Sequence, residues 1–378
     1  MVDLAAGAAE LHDTMAAHIA TGRPPGLVMA LERGDEQHVD VIGSTTLEGA
    51  EPVRRGTIFR IASMTKPVAA VATMILVEEG LLALDAPVDD LLPELADRRV
   101  LRRAAGPLDD TVAALRPITL ADLLTFRWGY GARGDSTPLD LAAREQGLAG
   151  DALNTRRFGP DEWLRRLGTL PLQAQPGERW SYDVGFDVLS VLLARATGGP
   201  LATLLAQRIF DPLGMVDTGF SVPADQRHRF LPCYAVDEAT GEQRVADPVD
   251  GAWSHEPLFP SASGGLVSTI DDYLAFARML RGPDPLVSPA TLALMTTDHL
   301  TPAQRDPMLR DRGWGLGMAV GGGGSATRYG WDGITGTVWF NDSAQRSTAI
   351  LLTQQSAGDA VRPMFQDFRD GAGDALAH

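Results

Sequence analysis

The sequence predicts an α/β protein of the α+β kind: one antiparallel sheet assembled from both chain ends, helices packed on it, and a mostly helical lobe inserted between. Three observations lead there. Strand-like runs stand near the N-terminus, four more crowd the C-terminal third, and the residues between them read as helices and loops punctuated by Pro, Gly and Arg. In chain order, residues 3–21 place Leu4, Ala8, Leu11, Met15 and Ile19 at helical spacing and read as an amphipathic helix. Gly26–Leu31 and His38–Ile42 read as strands, joined through Arg33-Gly34-Asp35, a hairpin signal. Thr57–Ile61 resembles a short strand leading into a helix from Met64 to Glu79, with Gly80 as its stop. Ile118–Thr125 looks like a capped helix start, and Asp183–Thr197, Leu201–Ile209, Ile270–Leu280 and Pro289–His299 read as helices. Trp314–Val320, Thr327–Trp331, Gly336–Asn341 and Ser347–Thr353 read as strands, with Gly321 to Gly324 turning between the first two, and a last helix spans about Arg362 to Asp370. Residues 1–80 and 205–378 are expected to form the sheet-bearing lobe and residues 81–204 the helical one. A cleft at their junction is the expected ligand site.

The 378 residues are ample for a core, and a net charge of −16 argues against nucleic acid or an anionic membrane as partner. With Cys233 as the sole cysteine there is no intrachain disulfide. The seven histidines form no close pair or His-Glu-x-x-His pattern, so neither a metal nor a cofactor is expected. No basic start followed by an apolar run marks a signal peptide, and the most apolar stretch, Val68 to Val77, is far shorter than the ~20 residues that span a bilayer. A cytoplasmic chain is the expectation.

Of the 33 basic residues 32 are arginine, and the one lysine is Lys66, three residues after Ser63. Arginine keeps its proton, whereas a buried lysine can release one and act as a base. A serine hydroxyl is a weak nucleophile until something removes its proton. Residues three apart share a helix face, so Ser63 at a helix start and Lys66 one turn on can touch. The helix dipole would favour an oxyanion there and is expected to depress the lysine pKa. A capping serine followed by a surface lysine is the alternative. The apolar run after Lys66 speaks against it, because a buried lysine needs a reason.

Two further stretches qualify. Tyr182, in Trp180-Ser181-Tyr182-Asp183-Val184, sits just before a helix and could relay a proton; a nearby ammonium is expected to pull its pKa down. Alone, it would be an aromatic packed at a lobe surface. In Gly330-Trp331-Asp332-Gly333-Ile334, a glycine on a strand permits close approach, and the Ile334 N–H with the Ser63 N–H could form an oxyanion hole, with Trp331 as an apolar wall. Alone, that stretch would be a hairpin. Trp128-Gly129-Tyr130 either walls the cleft or packs beneath it.

Taken together, Ser63-Met64-Thr65-Lys66, Tyr182 after Trp180-Ser181, and Trp331-Asp332-Gly333 resemble the serine hydrolases related to class C β-lactamases. That group includes D-Ala-D-Ala peptidases, acyltransferases and family VIII carboxylesterases. The resemblance covers nearly the whole chain and includes Phe59-Arg60-Ile61-Ala62-Ser63, the run from Asp211 to Phe220, and Ser263 to Thr269. It implies a β-lactamase/transpeptidase-like fold, Ser63 as acylated nucleophile, Lys66 with Tyr182 as general base and acid, and the Ser63 and Ile334 amides as oxyanion hole. Two departures point to esters. Val184 stands where penicillin-active members carry Asn, and Trp331 where they carry Lys. Trp331, Asp332, Gly333, Trp128 and Arg328 are the expected substrate contacts, Arg328 being a cation that could replace the missing lysine. The expected partner is a small ester or lactam, with the loops around Trp128–Asp135, Pro223–Pro260 and Trp331 setting acyl preference. A non-catalytic binding module is the rival of another class, and Asp183 is given no role beyond capping the helix that follows it.

Overall fold

The strands from the two chain ends join in a single seven-stranded sheet. The computed structural model describes residues 3–49, 51–131, 137–148, 156–237, 239–282, 286–356, 358 and 361–377. Strands β1 (Gly26–Arg33) and β2 (Glu36–Gly43) form the hairpin, turning at Gly34 with φ 58°. Strands β3 (Gly313–Trp314), β4 (Ala319–Val320), β5 (Arg328–Gly333), β6 (Thr337–Asp342) and β7 (Ser347–Thr353) complete it. The order is β2-β1-β7-β6-β5-β4-β3, with every neighbouring pair antiparallel.

Alternation along these strands sorts two cores. Leu27, Met29, Leu31, Val338, Phe340 and Leu351 face helix α1 (Leu4–Ala20) and the C-terminal helix. Val28, Ala30, Trp339, Ile350 and Leu352 face the larger core, built on α2 (Thr65–Glu78), α3 (Val184–Thr197) and α4 (Ile270–Met279). The C-terminal helix, α5, runs Arg362–Leu376, one and a half turns past the expected end. Its late glycines disfavour helix in isolation, yet they let it lie against α1: a Cβ at Gly371 would stand 2.8 Å from Leu11, and one at Gly7 would stand 2.7 Å from Ala375. Packing overrides propensity there.

Helix α2 positions the site. Twelve of its residues, Thr65 to Leu76, are buried, so it is a core helix, with each large apolar side chain contributing roughly 1.5–3 kcal/mol. It ends as a Schellman motif: Gly80 (φ 73°) donates its N–H to Val77 O and Leu81 to Leu76 O, each at 3.0 Å. Three expectations needed revision. The strand expected at Trp314–Val320 divides into β3 and β4, because the chain bends to give the Leu316 amide to Met295 O and the Gly317 amide (φ 86°) to Leu124 O. The helix expected to reach His299 stops at Met295, where His299 N donates to Trp314 O and Asp298 accepts from Trp314 N. In the 81–204 segment, Arg99–Leu101 pairs with Thr111–Ala113 as an unforeseen small ladder. That segment shares one continuous apolar core with the sheet and α2.

Candidate active site

Ser63 sits where a tight turn enters α2. Ala62 holds φ 43°, rare for a residue with a side chain, and a single 3₁₀ turn, Ala62–Met64, leads into the α-helix at Thr65. The turn is held from several directions. Phe59–Arg60 pairs with Val267–Ser268 rather than with the main sheet, Ile61 N donates to Leu266 O at 3.0 Å, and Tyr273 Oη donates to Met64 O at 2.9 Å. Arg60, wholly buried, ion-pairs with Asp247, donates to Leu231 O (2.6 Å) and Gln354 Oε1 (2.7 Å), and stacks 3.9 Å from the Phe230 ring centre.

Lys66 is fully buried and points at the serine: Nζ donates to Ser63 Oγ at 2.8 Å and to Ser263 O at 2.5 Å. Its third close partner is Asp183, whose Oδ1 lies 2.8 Å away. The Tyr182 hydroxyl lies near both Lys66 and Ser63, and the ammonium lies 4.7 Å from the phenol ring centre. Ser63, Lys66 and Tyr182 are therefore in one place. The electrostatics differ from expectation. Burial pulls the Lys66 pKa down, but the Asp183 charge and the phenol outweigh it, and the value lies above that of an ordinary lysine. Burial, reinforced by Asp183 and opposed by Lys66, likewise puts the Tyr182 phenol above its ordinary value. Both shifts run opposite to the sequence expectation: for Tyr182 reading residues alone left out its burial, and for Lys66 it left out the carboxylate. The signal was present in Asp183, adjacent to Tyr182; it makes no capping hydrogen bond to α3.

Tyr182 is seated in an aromatic nest that only the folded chain assembles. Trp180 stacks on it at 5.4 Å between ring centres, Phe126 meets it edge-on at 4.9 Å and Trp331 lies at 5.4 Å. Trp314 closes the nest, 4.7 Å from Trp331. Each such contact contributes about 0.5–1.5 kcal/mol beyond area burial. Phe126 and Trp314 were not singled out from sequence, and Trp180 only as part of the motif that ends in Tyr182.

The substrate-contact expectations divide by strand parity. Trp331 faces the site but is buried, and its Nε1 donates to Tyr182 Oη at 2.5 Å, so it fixes the phenol rather than offering an open wall. Gly333 packs on the nucleophile turn: a Cβ there would stand 2.5 Å from Ile61 O and 2.2 Å from Thr337 Oγ1. Thr335 Oγ1 donates to Arg60 O at 2.6 Å and Thr337 Oγ1 to Ile61 O at 3.2 Å, tying the β5–β6 turn, with Ile334 exposed on it, to the residues just before Ser63. Arg328 and Asp332 are corrected. Both lie on the opposite face of the sheet, where Arg328 stacks 4.2 Å from the Phe340 ring centre and Asp332 pairs with Arg369 (2.8 Å) and Arg312 (3.1 Å). Trp128 is also corrected: it is completely buried, packed on Tyr130 and Gly185 beneath the cleft. Of the loop Trp128–Asp135, residues 132–135 lie outside the described residues. Among the described residues no three His, Cys, Asp or Glu side chains gather as metal ligands, and no single helix is long and apolar enough to cross a membrane.

Residues 11–367 match the family described as Beta-lactamase. Protein Rv1367c of Mycobacterium tuberculosis (strain ATCC 25618 / H37Rv) is 39% identical over 352 residues, 87% of this chain and 85% of that protein. Esterase EstB of Burkholderia gladioli is 33% identical over 360 residues, again 87% of this chain and 85% of that protein. Among solved structures, EstCE1, titled a hydrolase with promiscuous acyltransferase activity, superposes with a TM-score of 0.80 at 23% identity, covering 97% of this chain and 98% of that one. The chain belongs to the Beta-lactamase family and is a β-lactamase-like serine hydrolase.

Proposed function

We propose that this enzyme cleaves carboxylic esters through an acyl-Ser63 intermediate. The observation that carries the reading is the buried Lys66 Nζ 2.8 Å from Ser63 Oγ, with the Tyr182 phenol beside the ammonium. Ser63 Oγ attacks the ester carbonyl carbon as its proton passes into the Lys66–Tyr182 pair. The carbonyl oxygen, now an oxyanion, is held by the Ser63 and Ile334 amides. Tyr182 returns a proton to the leaving alkoxide, the C–O bond breaks, and the acyl group stays on Ser63. Water then attacks the acyl carbon, and Ser63 recovers its proton. Esters are favoured over lactams because Val184 offers no amide and β5 no lysine, while Arg328 points away and Arg312 is paired with Asp332. Likeness to Esterase EstB supports the same choice.

A second reading, transfer of the acyl group to an alcohol rather than to water, uses the same residues, and likeness to EstCE1, a hydrolase with promiscuous acyltransferase activity, favours keeping it. The test is hydrolysis of p-nitrophenyl butyrate and of a chromogenic cephalosporin, each with and without an added alcohol and each against Ser63→Ala. Ser63-dependent ester turnover with little lactam opening supports the proposal; preferential lactam opening contradicts the choice of substrate class. Ester formation on the added alcohol, exceeding hydrolysis, moves the assignment to transferase.

Gly333 offers a second check. Adding a methyl group there pushes β5 off Ile61, shifting the Ile334 amide relative to Ser63. Gly333→Ala is expected to lower kcat/KM for the ester on the order of 10²-fold, as misplacement by about 1 Å does, with the circular dichroism melt showing a folded protein.

A further inference from the structure

We infer that Asp183 is a positioning residue that holds Lys66 as an ammonium in the resting site, so that proton transfer from Ser63 begins only once a proton has left the Lys66–Tyr182 pair. The inference rests on the acyl-Ser63 reading and adds to it the group that governs when the site is armed.

The geometry is specific. An ammonium has three protons and no lone pair. Around Lys66 Nζ stand Ser63 Oγ, Ser263 O and Asp183 Oδ1, one acceptor for each proton. Lys66 thus donates to Ser63 in this arrangement and has nothing with which to accept from it. Asp183 is held in place at a cost. Its φ of 86° and ψ of −65° form the rarer γ-turn, a strained conformation for a residue bearing a side chain. The strain turns the carboxylate away from the α3 amides it would otherwise cap and towards Lys66. Ser263 completes the arrangement: its hydroxyl donates to Asp183 Oδ1 at 2.5 Å while its carbonyl accepts from Lys66. Ser263 is fixed in turn by the Ser261 hydroxyl, which accepts from Ser263 N at 3.1 Å and donates to Asp187 Oδ1 at 2.6 Å.

The charged and titratable groups facing this cluster are Asp183 and Tyr182 before α3, Lys66 on α2, Asp187 on α3, and Arg156, which ion-pairs with Asp187. The Asp183 side chain keeps 41% of its surface accessible, so solvent trims its effect without removing it. The negative charge of Asp183 raises both Lys66 and Tyr182. The sign of the consequence is therefore the same whichever of the two takes the serine proton. In the wild-type enzyme the proton-accepting form gains population as pH rises, and activity climbs on the alkaline side. Removing the charge lowers the pH at which that form appears.

The experiment is the pH dependence of kcat/KM for p-nitrophenyl butyrate in wild type, Asp183→Asn and Asp183→Ala, with the rate of fluorophosphonate labelling of Ser63 followed across the same range. Asparagine can occupy positive φ and keep the hydrogen bonds to Lys66 and Ser263. The expected result is a shift of the rising limb to lower pH by about one unit or more in both variants, the size a neighbouring opposite charge produces. A limb that stays in place, or moves to higher pH, in variants that still turn over the ester overturns the inference and leaves the acyl-Ser63 proposal standing. Wild-type turnover that survives Ser63→Ala sinks the proposal beneath it.

Discussion

Lys66→Arg is expected to lower kcat/KM for an ester by about 10³-fold or more, within the 10²–10⁴ range that general acid–base catalysis contributes and towards its upper end because Tyr182 loses its partner too. The substitution keeps a positive charge beside Asp183 and Ser63 but replaces a group that can release a proton with one that keeps it. Because Lys66 is entirely buried, the larger guanidinium also overfills its slot, at about 1–3 kcal/mol. A thermal melt measured alongside the kinetics separates that loss from the catalytic one. A folded Lys66→Arg variant within tenfold of wild type would show that charge alone suffices, and the base role would be wrong.

The second large effect concerns stability. Arg60→Met is expected to destabilise the protein by about 3–5 kcal/mol, the consequence of leaving a buried charge without its partner. Asp247 would lose that partner, Leu231 O and Gln354 Oε1 would lose their donor, and the stacking on Phe230 would go. For a chain of this length the melting temperature should fall by about 4–6 °C. Arg60→Met with Asp247→Leu, which removes both charges, should recover part of the loss, because the penalty belongs to the orphaned carboxylate. A single variant melting within 2 °C of wild type, or about 1.5 kcal/mol, would contradict this. Arg60 matters to the site because its carbonyl accepts from Thr335 and its own neighbours lead directly to Ser63.

The fold and the Ser63–Lys66–Tyr182 cluster were legible because they rest on local signals. Central strands such as β1 and β7 carry buried, largely apolar side chains; α2 is a mostly apolar run ended by Gly80; and a single lysine three residues from a serine can lie only one helical turn away. What escaped depended on other information. Arg328 and Asp332 were placed in the site by proximity in sequence, yet they lie three and one positions from Trp331, odd offsets that send a strand side chain to the other face. That parity was readable. The aromatic nest was not, since Phe126, Trp180, Trp314 and Trp331 are distant in sequence and meet only through the packing of β3, β5 and the turn before α3. Asp183 combined both difficulties: its neighbour Tyr182 marked it, but only its positive φ directs the carboxylate to Lys66 rather than to α3.

The most direct measurement is the mass of the peptide carrying Ser63 after exposure to a fluorophosphonate, with and without excess p-nitrophenyl butyrate. Ser63 as nucleophile requires a stoichiometric adduct on that peptide, protected by the ester, absent in Ser63→Ala and slowed in Lys66→Arg. Continued Ser63-independent hydrolysis with no adduct on that peptide, or an adduct on another residue that tracks the loss of activity, would show that the ester is cleaved elsewhere.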